Sequence, residues 1–141
     1  GSFKLSNEFR HEHQAHGYRL AGGKMFDNLE EYLTFRETAT KEDLLLRAQK
    51  DALREAKEEL GIENVSSINF IEKSAIGSTV EWDLYVFEIS NFEVGEQKTH
   101  GMEQIEPVDL TKEQILETID SGEFSEDRIV PVLLRYLKSQ G

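Results

Sequence analysis

The apolar positions of this chain fall into short runs and longer helical stripes that alternate along its length. Phe3 to Phe9 reads as a strand, and His11 to Gly17 is polar and reads as a turn. Tyr18-Arg19-Leu20 is a short strand, ended by Ala21-Gly22-Gly23-Lys24. From Glu30 to Arg36 a short helix is expected, with Leu29, Tyr32 and Leu33 on one side. From Lys41 to Leu60 the spacing is helical throughout, with Leu45, Gln49, Ala52, Leu53, Ala56 and Leu60 on one side. Thr40 suits the N-cap of that helix, and Asp43 adds an acid to its first turn.

The second half repeats the alternation. Ile68 to Lys73 reads as a strand. Val80 to Ile89 reads as another, with Val80, Trp82, Leu84 and Val86 on one face and Tyr85, Phe87 and Ile89 on the other. Apolar residues on both faces suggest a central strand. Asn91 to Gln104 is a polar, Gly-containing loop, and Ile105 to Leu110 is a short strand. Thr111, with Gln114 three residues on, has the capping-box pattern of a helix start. A last helix spans Ser125 to Lys138, with Ile129, Val132, Leu133, Tyr136 and Leu137 inward and Pro131 near its start. Strands and helices interleave, so the fold class is α/β or α+β.

The chain has 141 residues, which suits one domain over 3–141; Gly1-Ser2 reads as a tag remnant. A formal net charge of -12 argues against nucleic acid or an acidic membrane as a partner through a basic surface. An acidic protein that handles a polyanionic substrate needs a local device against repulsion, and a metal ion with a few placed Arg and Lys residues is one. The absence of cysteine excludes disulfides, thiol catalysis and zinc-thiolate sites. No stretch approaches the roughly 18 apolar residues of a membrane span and no signal peptide is visible, so a cytoplasmic location is expected.

The chemistry concentrates in Arg54-Glu55-Ala56-Lys57-Glu58-Glu59-Leu60-Gly61-Ile62, at the end of the long helix. Glu55, Glu58 and Glu59 stand at i, i+3 and i+4, on one face and one turn apart, beside the apolar stripe. Like charges at that spacing cost helix stability. A hard divalent cation turns the cost into a gain, because Mg²⁺ binds through a few carboxylates together with substrate phosphates. Gly61 then stops the helix. The pattern points to metal-assisted attack on a phosphate ester or anhydride.

The same nine residues resemble the second half of the signature of Nudix hydrolases, R-E-U-x-E-E-x-G-U with U apolar. A chance match in a chain of this length is on the order of one in a hundred thousand at average residue frequencies. Arg19-Leu20-Ala21-Gly22-Gly23-Lys24 is similar to the family's strand-end L-P-G-G-K, with Ala21 in place of proline. The resemblance implies an α/β/α sandwich with a mixed sheet and the signature helix beside it. It implies Mg²⁺, or Mn²⁺, held by Glu55, Glu59 and the Gly22 carbonyl, with Glu58 as a further ligand or as acceptor from water. It gives Arg54 the task of orienting a signature glutamate. The first half of the signature would put Gly at 40 and Glu at 46, where this chain has Thr40 and Leu46. Glu30, Glu31 and Asp51 are the candidates to replace that glutamate, Asp51 being the helical one.

Phe9-Arg10, the run Val80-Glu81-Trp82-Asp83-Leu84-Tyr85-Val86-Phe87, and Glu126-Asp127-Arg128 look closest to ADP-ribose and nucleoside-diphosphate-sugar pyrophosphatases. That resemblance implies cleavage of a nucleoside diphosphate linked to another group, giving a nucleoside monophosphate and a phosphorylated product. The rivals are hydrolysis of nucleoside triphosphates or dinucleoside polyphosphates, and a ligand-sensing module without turnover. In the subfamily the base often comes from an acidic loop, which here offers Glu96, Glu103 and Glu106; Glu103 is chosen by its place before Ile105, and His100 is a second candidate. Arg19, Gly23 and Lys24 flank or form the glycine turn and are candidate substrate ligands, with Arg10 beside them. For Arg10 and Arg128 a surface salt bridge is the plainer reading, as is a core position for Trp82 and a solvated one for His11, His13 and His16. Subfamily members form a homodimer through a longer N-terminal segment, of which this chain has little.

Overall fold

A computed structural model of the chain describes residues 2–10, 15–22, 29–75, 83–97 and 105–140. The architecture mixes helices with antiparallel strands. Strand β1 (Ser2–Arg10) is flanked by β2 (Ala15–Arg19) and by β7 (Ile105–Thr111), both antiparallel to it. The registers place Ser6 opposite Arg19 and Leu5 opposite Val108. Ser2 pairs with Thr111, so the ladder starts at a residue the sequence sets aside. Ala15 to Gly17, expected in a turn, belongs to β2: Arg10 faces Ala15 across the hairpin, and the neighbouring strand fixes a segment whose own composition favours no strand.

Helix α1 (Leu29–Thr38) buries Tyr32. Helix α2 (Lys41–Leu60) begins and ends where local chemistry dictates. Thr40 Oγ1 accepts from the Asp43 N–H at 3.1 Å, and the Thr40 N–H donates to Asp43 Oδ2 at 2.9 Å, a reciprocal capping box. At the other end Gly61 takes the left-handed conformation, φ 72°, and its N–H reaches the Ala56 and Lys57 carbonyls. A side chain at 61 would also collide with the Gly95 carbonyl, so glycine is required twice over. Ala48, Ala56 and Leu60 are the buried positions of the helix.

Strand β3 (Ile62–Glu63) pairs with β6 (Glu93–Val94), and β4 (Ser67–Ala75) pairs with β5 (Asp83–Ser90) across a bulge at Phe70–Glu72. The central position expected for the Val80–Ile89 strand is not what the described residues show. There β5 pairs with β4 alone, and Leu84 to Ser90 are all half-buried. Phe70 packs against Tyr85 and Phe87 yet stays 45% exposed, so that face is only partly covered. Residues 76–82, including Val80 and Trp82, lie outside the described residues.

The main core forms where the β1 sheet meets the C-terminal helices α3 (Lys112–Ser121) and α4 (Val130–Ser139). Leu5, Ile115, Phe124, Ile129, Val132 and Leu137 are each less than 5% exposed there. Thr111 and Gln114 form a second capping box, as their spacing requires. The expected Ser125–Lys138 helix begins later, because a 3-10 turn over Asp127–Ile129 precedes α4 and Pro131 occupies its first turn. No helix of the described residues is long and apolar enough to cross a membrane.

Candidate functional site

The last two turns of α2 carry the acids, and three other segments converge on them. Glu59 Oε2 accepts the Gly22 N–H at 3.2 Å, which brings the glycine turn after β2 onto the helix end. Gln97 donates through Nε2 to the Glu59 carbonyl at 2.8 Å and to the Ile105 carbonyl at 2.6 Å. The Gly95 N–H reaches the Gly61 carbonyl at 2.6 Å. The bonds to the Glu59 and Gly61 carbonyls satisfy helix-end groups that would otherwise be orphaned.

Glu59 is the most perturbed carboxyl of the group. Its pKa is pushed up to about 7, chiefly by burial; Arg19 and the Gly22 N–H pull it down, while Glu55 and Glu8 repel the anion. Glu55 and Glu58 are held differently. Arg54, half exposed, places Nη2 3.3 Å from Glu55 and 3.5 Å from Asp51, and Nη1 3.5 Å from Glu58. Desolvation works against the Arg54 charge, but Glu55, Glu58 and Asp51 outweigh it and hold its pKa above the ordinary value. The Arg54 guanidinium thus spans Asp51, Glu55 and Glu58.

Asp51 lies a turn before Glu55, where Arg47 Nε approaches it at 3.1 Å. Position 46, where the family glutamate was expected, is nine residues before Glu55, about half a turn round the helix. Leu46 accordingly faces solvent, 56% exposed. A glutamate there would point away from the acids. Glu30 and Glu31 are exposed on α1.

Arg19 is engaged by protein carboxylates. Its Nη1 donates to Glu8 Oε2 at 2.9 Å, and its Nε lies 3.4 Å from Glu126 Oε1 without hydrogen-bond geometry. Burial opposes its charge, yet Glu126, Glu8 and Glu59 together raise its pKa above the ordinary arginine value. Arg128 is exposed, 3.9 Å from Glu126. Glu96 and Glu106 are exposed, Glu106 standing opposite Asn7 in β7. Gly23, Lys24, His100 and Glu103 lie outside the described residues, as do His11 and His13 and the side chains of Arg10 and His16.

Sequence reasoning missed Glu8, Glu126 and Gln97. Glu8 sits among the polar residues of an alternating strand, and Gln97 lies in a polar loop; neither has a local signature. Glu126 does belong to a quoted word, but nothing in that word reveals its partner, 107 positions upstream.

The donor set is all oxygen, which suits a hard divalent cation. Among the described residues no three acids or histidines already converge as a ready ligand cluster. The Gly22 contact observed here is made by its N–H, whereas a cation would require its carbonyl. The donors nevertheless fit: half-buried Glu59 is crowded by Glu55 and Glu8, and a cation relieves that crowding. Compared with known proteins, the chain matches no protein-family model and no curated sequence.

Proposed function

We propose that this chain is a Mg²⁺-dependent, Nudix-type pyrophosphohydrolase acting on a nucleoside diphosphate linked to another moiety, ADP-ribose or a nucleotide sugar. The products are a nucleoside monophosphate and a phosphorylated second half. The observation that carries this reading is the meeting of the Gly22 turn with Glu59, inside a cluster where burial and neighbouring acids raise the Glu59 pKa to about 7. The fold implied is the α/β/α sandwich with α2 as its signature helix; the contacts of α2 with β1, β3, β5 and β7 support that arrangement.

In this mechanism Glu55 and Glu59 would hold the cation, with Glu58 beside them. When bound, Mg²⁺ supplies charge neutralisation of the diphosphate and acidification of water. Arg54, within 3.5 Å of both, orients Glu55 and Glu58. As water attacks phosphorus, the bridging P–O bond breaks and the second phosphate leaves; Glu103, proposed from its sequence position, accepts the proton of the water, with Glu58 as the alternative acceptor. Lys24, Gly23 and Arg10 are proposed to hold substrate oxygens.

The test is hydrolysis of ADP-ribose, a UDP-sugar, a dinucleoside tetraphosphate and dGTP with Mg²⁺, beside Glu59→Gln. AMP release from ADP-ribose that the substitution lowers by about 10²-fold or more is expected. Cleavage of another substrate instead would move the substrate class. Binding of ADP-ribose without cleavage of any substrate would replace the enzyme with a ligand-sensing module.

A further inference from the structure

The segment between α3 and α4 does more than connect them. Its residues 123–126 run alongside β2, with a parallel bridge from Tyr18 to Phe124. The Tyr18 N–H donates to the Glu123 carbonyl at 2.9 Å, and the Ser125 N–H and Oγ donate to the Tyr18 carbonyl at 2.8 and 3.1 Å. The strap thus occupies the edge of β2 left open by β1. One residue further on, Glu126 faces the Arg19 guanidinium, which Glu8 holds from the other side. Ser6 Oγ also donates to the Arg19 carbonyl at 3.2 Å. Three residues after Arg19, the chain delivers the Gly22 N–H to Glu59.

The ion pairs also change what Arg19 is for. A substrate-gripping arginine presents a guanidinium free to meet phosphate, while this one is half-buried between two carboxylates. We infer that Arg19 and the 123–126 strap are positioning elements: together they set the glycine turn against Glu59, and so set cation affinity at the α2 end. This rests on the reading of Glu55 and Glu59 as cation ligands.

Gly17 offers a clean way to disturb the strap without touching an acid. A Cβ built at Gly17 would lie 2.9 Å from Ser125 Cβ and 3.1 Å from Ser125 Oγ, so Gly17→Ala must shift the strap relative to β2. Ser125→Gly removes both obstructing atoms, and the double variant Gly17→Ala/Ser125→Gly should reseat the strap. Mn²⁺ binding is measured by electron paramagnetic resonance on the wild type, both Gly17 variants, Glu126→Gln, Glu126→Asp and Glu59→Gln, with circular dichroism to confirm folding.

Gly17→Ala and Glu126→Gln should each weaken Mn²⁺ binding by about tenfold, the usual effect of losing a support behind a metal ligand. The double variant and Glu126→Asp should recover most of the loss, a rescue that a general loss of stability would not produce. Wild-type affinity in folded Gly17→Ala and Glu126→Gln, with Glu59→Gln deficient, would overturn the strap alone. Equal binding by wild type and Glu59→Gln would overturn the cation reading and the strap with it. If any single variant is unfolded, a Glu126→Gln/Arg19→Met pair removes both charges together; affinity equal to wild type in that pair would also overturn the proposal.

Discussion

The α4 core and the acidic end of α2 are built on opposite principles. Around α4, Leu5, Ile115, Val132 and Leu137 are each at most 1% exposed, and apolar surface meets apolar surface. At the end of α2 the buried apolar set shrinks to Ala56, Leu60 and Ile62, and beside it stand Glu55, Glu58, Glu59, Arg54 and Arg19. The first region obeys every rule of stable packing. The second breaks one, by placing a carboxylate among other carboxylates where water is scarce. Local conflict inside an otherwise consistent fold is the pattern of a site shaped for a ligand.

The largest effect is expected in the packed region. Leu137→Ala opens a cavity in the packed region and should cost about 2–5 kcal/mol in urea unfolding. A stability change under about 1 kcal/mol would mean that the core is looser than its burial implies.

The next effect is pH-dependent. The folded state raises the Glu59 pKa from its ordinary 4.5 to about 7, so it binds this proton more tightly than the unfolded chain does. Its contribution is therefore fully present below about pH 4.5 and is lost as pH rises through about 7. With allowance for solvent screening of a partly exposed group, the loss is about 2 kcal/mol. Metal-free unfolding at pH 5 and pH 8 should show it, and Glu59→Gln should remove that part of the slope. An identical slope in both proteins would place the conflict elsewhere.

Smaller effects test whether the acidic end depends on α2 starting where it does. Thr40→Ala removes the capping acceptor and should lower stability by about 1 kcal/mol. Gly22→Ala should change stability by less than about 0.5 kcal/mol, because a Cβ there meets no atom of the described residues within 4 Å. A larger loss would show that the turn needs glycine for its own conformation.

These two classes of effect follow the line between what the chain announces locally and what it does not. Thr40 with Asp43, Thr111 with Gln114, and Gly61 with its preceding acids were legible because each acts within four residues of itself. The α2 acids were legible for the same reason: helical spacing alone puts them on one face. The extent of β2 and the half-buried state of β5 depend on which strand lies alongside, which composition does not encode. The fate of Arg19 was hidden most deeply. Beside a glycine turn its charge suggests phosphate, and only the arrival of Glu8 and Glu126 from distant segments gives it other partners. Position 46 teaches the converse. A motif written as spacing misleads once α2 runs unbroken from Lys41, because the helix turns that position away from Glu55.

The most direct measurement of the central claim is the melting temperature of wild type and Glu59→Gln at pH 8, titrated with Mg²⁺. A cation that binds the folded acidic end stabilises it by mass action, about 2.7 kcal/mol at a hundred times the dissociation constant. The wild type should therefore gain several degrees as Mg²⁺ is added, while Glu59→Gln gains little. Parallel curves for the two proteins, or a flat curve for the wild type, would contradict the assignment of the α2 acids as a cation site.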